Sequence, residues 1–295
     1  MSVLNFFNNF RYLFRYNLKE IFKCSVEKLS DELLIEEVLY EIPDSNVFRP
    51  QIETHDKTVE TLVTTSNNIV RFGDGEVAII NGKNIPFQKY DTNLASKLKE
   101  ILIKDQANLL VGINFEYYYP FNIYKMNEIP AKFMRTFVPK LRLQFSKYLN
   151  KDKKYYSAGF TQLYQLYREY DFERNFNCLK KIWDNKKIVI VTCENSLKNL
   201  KYNIFENAFE IKKEIVPAKD CWSRYEKILN NLKRYDKDYI FILMCGPTAK
   251  VLVSDLTFLG YRALDLGHIA KDYDWYKKQI PHNQNNCDKF FSPDV

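Results

Sequence analysis

The sequence predicts an α/β protein: a Rossmann-like parallel sheet flanked by helices, preceded by an N-terminal helical appendage. Three observations carry this. In the last third, short apolar runs at 188–192, 211–216, 239–245 and 263–266 alternate with helical stretches near 197–208, 220–234 and 248–259, the pattern of successive βαβ units. Earlier, two more apolar runs at 69–72 and 109–113 are separated by a helical stretch at 91–103. Glycine is scarce, 8 in 295 residues, where average usage of ~7% would give roughly 20. Six of the eight fall in two groups, 73, 75 and 82, then 246, 260 and 267. Both groups follow predicted strands, where the chain must turn sharply or approach a ligand.

Taken in order, residues 3–22 place Val3, Phe6, Phe7, Phe10, Leu13, Phe14, Leu18, Ile21 and Phe22 on one helical stripe, with Arg11, Arg15, Lys19 and Lys23 elsewhere. Such a helix packs on the body of the protein or rests residues 3–23 on an anionic membrane surface. A second helix is expected at 26–41 and an irregular connection at 43–55. A short helix at 58–64 then leads into the strand at 69–72. The middle, 114–180, rich in Tyr and Phe, reads as a mostly helical insertion or lid. The expected organisation is an appendage at 1–50, a main domain at 56–278 and a tail at 279–295.

Composition removes several functions. Lys and Arg number 44 against 37 Asp and Glu, 44 − 37 = +7, but the cations are dispersed and no nucleic-acid-binding motif is present, so no nucleic-acid partner is expected. The six cysteines form no CxxC pair or Cys/His cluster, against a structural zinc site. The longest apolar run, YIFILMC at 239–245, is far shorter than the ~20 residues that span a bilayer. With no export signal, the expected location is the cytoplasm, peripherally at the inner membrane face if the first helix binds lipid.

Three segments carry chemistry. In Arg71-Phe72-Gly73-Asp74-Gly75-Glu76, residues two apart in an extended strand end point the same way. Asp74 and Glu76 would then offer paired carboxylates to Mn²⁺ or Mg²⁺ on a diphosphate. Arg71 would add a fixed positive charge beside them, and Phe72, Gly73 and Gly75 would complete the donor- and phosphate-binding turn. Alone, a D-x-E is more simply an acidic turn. Cys245-Gly246-Pro247-Thr248 follows an apolar strand and opens a helix, whose free amides favour phosphate; plain helix capping is an equal reading. Leu264-Asp265-Leu266-Gly267-His268 ends the last strand. There Asp265 or His268 would serve as base for an acceptor hydroxyl, or His268 as a structural imidazole.

Together the strings RFGDGE at 71–76, FQKYD at 87–91 and GPTAKVLVSDLTFLGYRALDLGHIAKDYDW at 246–275 resemble the GT-D type of bacterial glycosyltransferases, first catalogued as a domain of unknown function, over about residues 56–278. The resemblance implies a Rossmann-like fold, a DXE metal motif at Asp74 and Glu76, a UDP-sugar donor with Mn²⁺, and sugar transfer to a growing glycan on a protein or lipid carrier. The chain departs from the family's pattern where a Glu-Gly pair, an Arg and a glycine-rich Asn-Asp segment are expected. It reads Thr192-Cys193-Glu194-Asn195-Ser196-Leu197, then Asn199, Lys201, Tyr202 and Asn203 before Phe205. Gln162 stands where an Arg is expected. A phosphotransferase, or a non-catalytic relative that keeps only the metal–diphosphate half, is the alternative.

Overall fold

A computed structural model describes residues 48–292; the helices expected at 3–22 and 26–41, and the membrane contact through 3–23, lie outside the described residues. Among the described residues, seven parallel strands form one sheet in the order β3-β2-β1-β7-β6-β4-β5. They are β1 (Asn68–Phe72), β2 (Leu109–Ile113), β3 (Tyr156–Ser157), β4 (Lys187–Thr192), β5 (Glu210–Ile215), β6 (Tyr239–Met244) and β7 (Arg262–Asp265). The helices are α1 (His55–Thr64), α2 (Asp74–Ile80), α3 (Thr92–Ile103), α4 (Glu128–Thr136), α5 (Val138–Phe145), α6 (Leu163–Leu166), α7 (Phe172–Lys180), α8 (Tyr225–Leu232), α9 (Pro247–Phe258), α10 (Ile269–Lys278) and α11 (Gln284–Phe291).

Strand periodicity divides the core between the two faces of the sheet. Val189, Val191, Phe241 and Leu243 join one cluster with Leu94, Leu98 and Leu102 of α3 and Leu252, Val253 and Leu256 of α9. Their neighbours Ile188, Ile190, Ile240 and Ile242 join the other, with Leu62 of α1, Leu179 of α7 and Ile269 of α10. Side-chain caps set two helix starts: Thr54 accepts the Lys57 amide at α1, and Asp91 accepts those of Asn93 and Leu94 at α3.

The expected strands all form, shifted by at most a residue at either end, with two differences elsewhere. The middle segment, read as a helical insertion, also joins the sheet. Gly112 pairs with Tyr156 and Ile113 with Ser157 to seat β3, and a Cβ at Gly112 would stand 3.3 Å from the Ala158 Cα. A two-residue strand leaves too little periodicity to be seen in sequence. The helix expected near 197–208 does not form. A 3₁₀ turn at Glu194–Leu197 gives way to turns whose amides are taken by side chains: Asp274 accepts those of Lys201 and Tyr202 at 2.8 and 3.0 Å, and Asn203 that of Phe205 at 3.0 Å. Such local acceptors compete with helical hydrogen bonds. No helix among the described residues is long and apolar enough to cross a membrane.

Candidate active site

Because β1, β7 and β6 are adjacent in the sheet, the three chemical segments meet at neighbouring strand ends. This is the carboxyl edge of a parallel sheet, where ligands of such folds bind.

The centre of the cluster is ionic and buried. Arg71, the fourth residue of β1, donates its backbone N–H to Asp265 Oδ2 at 3.1 Å and its Nε–H to the Asp265 carbonyl at 3.0 Å. Its Nη1 reaches the Ala158 carbonyl at 3.1 Å and Thr161 Oγ1 at 2.7 Å, and its Nη2 lies 3.5 Å from Asp265 Oδ1. Lys250, one turn into α9, places Nζ 2.9 Å from Glu76 Oε1 and 3.1 Å from Asp265 Oδ2, and donates to the Gly246 carbonyl at 3.2 Å. Burial alone would depress this ammonium; Asp265 and then Glu76 outweigh it, and the pKa is raised. Two cations thus balance two carboxylates, all four side chains buried. Gly267 is required here. Its φ is +51°, and a Cβ would stand 1.7 Å from Arg71 Nη2.

Glycine at 73 ends the strand, but Asp74 and Glu76 do not lie on an extended segment as expected. Residue 74 opens α2, so the two side chains leave a helix rather than alternate along a strand. Glu76 turns inward; its Oε2 accepts the Gly73 amide at 2.9 Å. Asp74 stays exposed at the start of α2. Desolvation there, and then the Glu76 carboxylate, raise its pKa. Among the described residues Asp74 has no cationic partner.

The Gly246 turn has φ +62° and ψ −146°, a conformation essentially confined to glycine. Pro247 occupies the first turn of α9 and Thr248 is fully buried, 3.5 Å from Gln88 Oε1. Gln88 and Phe87 come from the 87–91 loop, which the 217–224 loop clamps: the Asp220 amide donates to the Phe87 carbonyl at 2.9 Å and the Trp222 amide to Gln88 Oε1 at 3.1 Å. His268, half-buried, has Phe87 on one side and Phe290 and Phe291 of α11 on another, with ring centroids 6.3, 5.3 and 6.1 Å away. Beyond β6, a cleft of about 410 Å³ opens at the ends of β4 and β5, lined by residues including Cys193, Asn195, Val216, Arg224 and Lys227.

The fold thus gathers Arg71, Phe72, Gly73, Asp74, Gly75, Glu76, Gly246, Pro247, Thr248, Asp265 and His268 along one edge of the sheet. Sequence reasoning missed Lys250 and Gln88. Both lie inside quoted motifs, and the available signal was a lysine four residues after Gly246, one helical turn along and set between Ala249 and Val251.

A family model described as the glycosyltransferase GT-D fold matches residues 69–290, and the chain belongs to that family. It is 29% identical over 240 residues to the probable glycosyl transferase Gly of Streptococcus gordonii, covering 77% of this chain and 33% of that protein. It is 29% identical over 233 residues to the glycosyltransferase GlyD of Streptococcus pneumoniae serotype 4, covering 77% and 28%. The chain therefore spans about a third of the length of the curated relatives it matches. Among solved structures, it superposes on a domain of unknown function 1792, described as having a distinct glycosyltransferase fold, with TM-score 0.74 and 28% identity over 84% of this chain and 86% of that one. A glycosyltransferase of the same domain from Streptococcus sanguinis gives TM-score 0.75 and 25% identity over 82% and 94%.

Among the described residues no group of three or more His, Cys, Asp or Glu is arranged to hold a metal ion. Two carboxylates are present, one exposed and without a cation, the other with a single donor on each oxygen and lone pairs to spare. That set fits a hard divalent cation whose remaining ligands come from a bound diphosphate.

Proposed function

We propose that this chain is a metal-dependent glycosyltransferase that moves a sugar from a nucleotide-sugar, a UDP-sugar, to a glycan acceptor on a protein or lipid carrier. The observation that carries this reading is Asp74, a carboxylate with no cationic partner among the described residues, at the rim of an otherwise charge-balanced cluster, in a chain of the GT-D family. Asp74 and Glu76 would hold Mn²⁺ or Mg²⁺. When bound, the ion neutralises the charge that builds on the departing nucleoside diphosphate.

The chain's own residues have distinct parts. The Gly246 turn and the Thr248 amide at the start of α9 would receive a phosphate group; Pro247 has no N–H, and the Ala249 amide is taken by the Gly246 carbonyl. Arg71 and Lys250 hold Asp265 and Glu76 in place, and Asp265 in turn fixes both cations. Asp265 or His268 would take the acceptor hydroxyl's proton; both Asp265 oxygens are engaged by Arg71 and Lys250. The cleft beside Cys193 and Arg224, which shares the 217–224 loop with Phe87 and Gln88, would receive the nucleoside.

Thermal unfolding with UDP, GDP and CMP, each with Mn²⁺ or with EDTA, tests the reading. A ligand at 100 times its dissociation constant adds about 2.7 kcal/mol. The expected result is a Mn²⁺-dependent shift with UDP that Asp74→Asn abolishes. A chain that shifts with no nucleotide is the non-catalytic relative instead, and release of inorganic phosphate would mark the phosphotransferase.

A further inference from the structure

The Lys250 ammonium has three N–H groups and three acceptors around it: Glu76 Oε1, Asp265 Oδ2 and the Gly246 carbonyl, at 2.9, 3.1 and 3.2 Å. It is buried and held at one point. From there it touches the carboxylate that a divalent ion would share with Asp74. An incoming cation therefore meets one uncompensated carboxylate, Asp74, and a second whose charge is already matched, with a fixed positive charge behind it. A nucleoside diphosphate changes this balance, because its own negative oxygens add ligands and offset the ammonium.

We infer that Lys250 is a positioning residue that makes divalent-cation binding depend on the donor: it keeps Glu76 charge-matched when the site is empty, so that metal and nucleoside diphosphate bind together. The inference rests on the metal-dependent reading above. It assigns Lys250 a task beyond holding the fold, namely competing with the metal for Glu76. Lysine rather than a neutral residue at 250 keeps the free enzyme from binding a cation tightly. Arginine, which keeps the charge, preserves that behaviour.

The test is a Mn²⁺ titration of the full chain, read as free Mn²⁺ by electron paramagnetic resonance, with and without UDP. The wild type is expected to bind Mn²⁺ at least tenfold more tightly with UDP than without. Lys250→Met is expected to bind Mn²⁺ alone at least tenfold more tightly than wild type, and UDP should then add little. Lys250→Arg should behave as wild type. Lys250→Met leaves a net negative charge buried, so Lys250→Met with Asp265→Asn, which removes one charge of each sign, is measured beside it, with EDTA melting curves as the check on folding. A wild type that binds Mn²⁺ equally with and without UDP, or a Lys250→Met variant no tighter than wild type, overturns the inference alone. A wild type that binds no Mn²⁺ under either condition overturns the metal-dependent reading as well.

Discussion

Replacing Gly267 by alanine tests the claim that Arg71 is locked in place. Two costs add. At φ +51° an L-residue gives up roughly 1–2 kcal/mol relative to glycine. The new Cβ would also stand 1.7 Å from Arg71 Nη2 and 2.8 Å from Cζ, so the guanidinium must move. A free arginine would swing aside at little cost. This one is held through Nε by the Asp265 carbonyl and through Nη1 by Ala158 and Thr161, and it neutralises a carboxylate that is 1% exposed. Breaking a buried pair costs about 3–5 kcal/mol, so the total is about 4–7 kcal/mol, against the ~5–15 kcal/mol that holds a typical domain folded. Gly82 is the control. Its φ is +82° and nothing lies within 4 Å of an added Cβ, so Gly82→Ala carries only the backbone cost of roughly 1–2 kcal/mol. Urea unfolding of both variants, compared at equal slope, reads the difference directly. If Gly267→Ala costs no more than Gly82→Ala, the guanidinium is free to move and the ionic cluster is not the rigid element described above.

Two further outcomes concern stability. Burial pushes the Asp272 carboxyl up to about 8, against the pull of the Tyr164 and Gln165 amides that it accepts. The unfolded chain releases this proton at about pH 4, so between about pH 4 and about pH 8 the folded state binds more protons and stability falls as pH rises, levelling above that window. Asp272→Asn should remove that part of the slope in urea midpoints measured across the range; parallel profiles for the two proteins would show that the carboxylate is ionised in the fold. Phe205→Ala should cost about 3–5 kcal/mol, because the ring is 1% exposed and packs 5.1 Å from that of Trp183. A loss below 1 kcal/mol, read by thermal unfolding, would mean that the non-helical 198–207 stretch is only draped on the core.

Strands β1, β2, β4, β6 and β7 were legible because each is a largely buried, mostly apolar run of four to six residues bounded by turn-forming or charged residues, and burial on both faces demands that composition; the edge strands β3, two residues long, and β5, mostly exposed, do not follow that rule. The glycines after β1, β6 and β7 were legible for a related reason: a chain with so few spends them where backbone conformation or close approach leaves no alternative, as Gly246 and Gly267 show. The GT-D resemblance was legible in the motif strings alone. The partners of the side chains were not. Nothing in RFGDGE states that residue 74 begins a helix, that Glu76 turns inward to Gly73 and Lys250, or that Arg71 is spent on Asp265 across 194 positions of sequence. Those pairings follow from strand order, which sets β7 between β1 and β6, and strand order is a property of the folded sheet rather than of any local run. The absent helix near 197–208 has the same origin: local propensity allowed it, and a carboxylate from α10 claimed its amides first. Local spacing determines what each segment can become; the charges that converge on Lys250 were decided by which strand ends the sheet placed side by side, since ion pairs act through space over a few ångströms and take no account of distance along the chain.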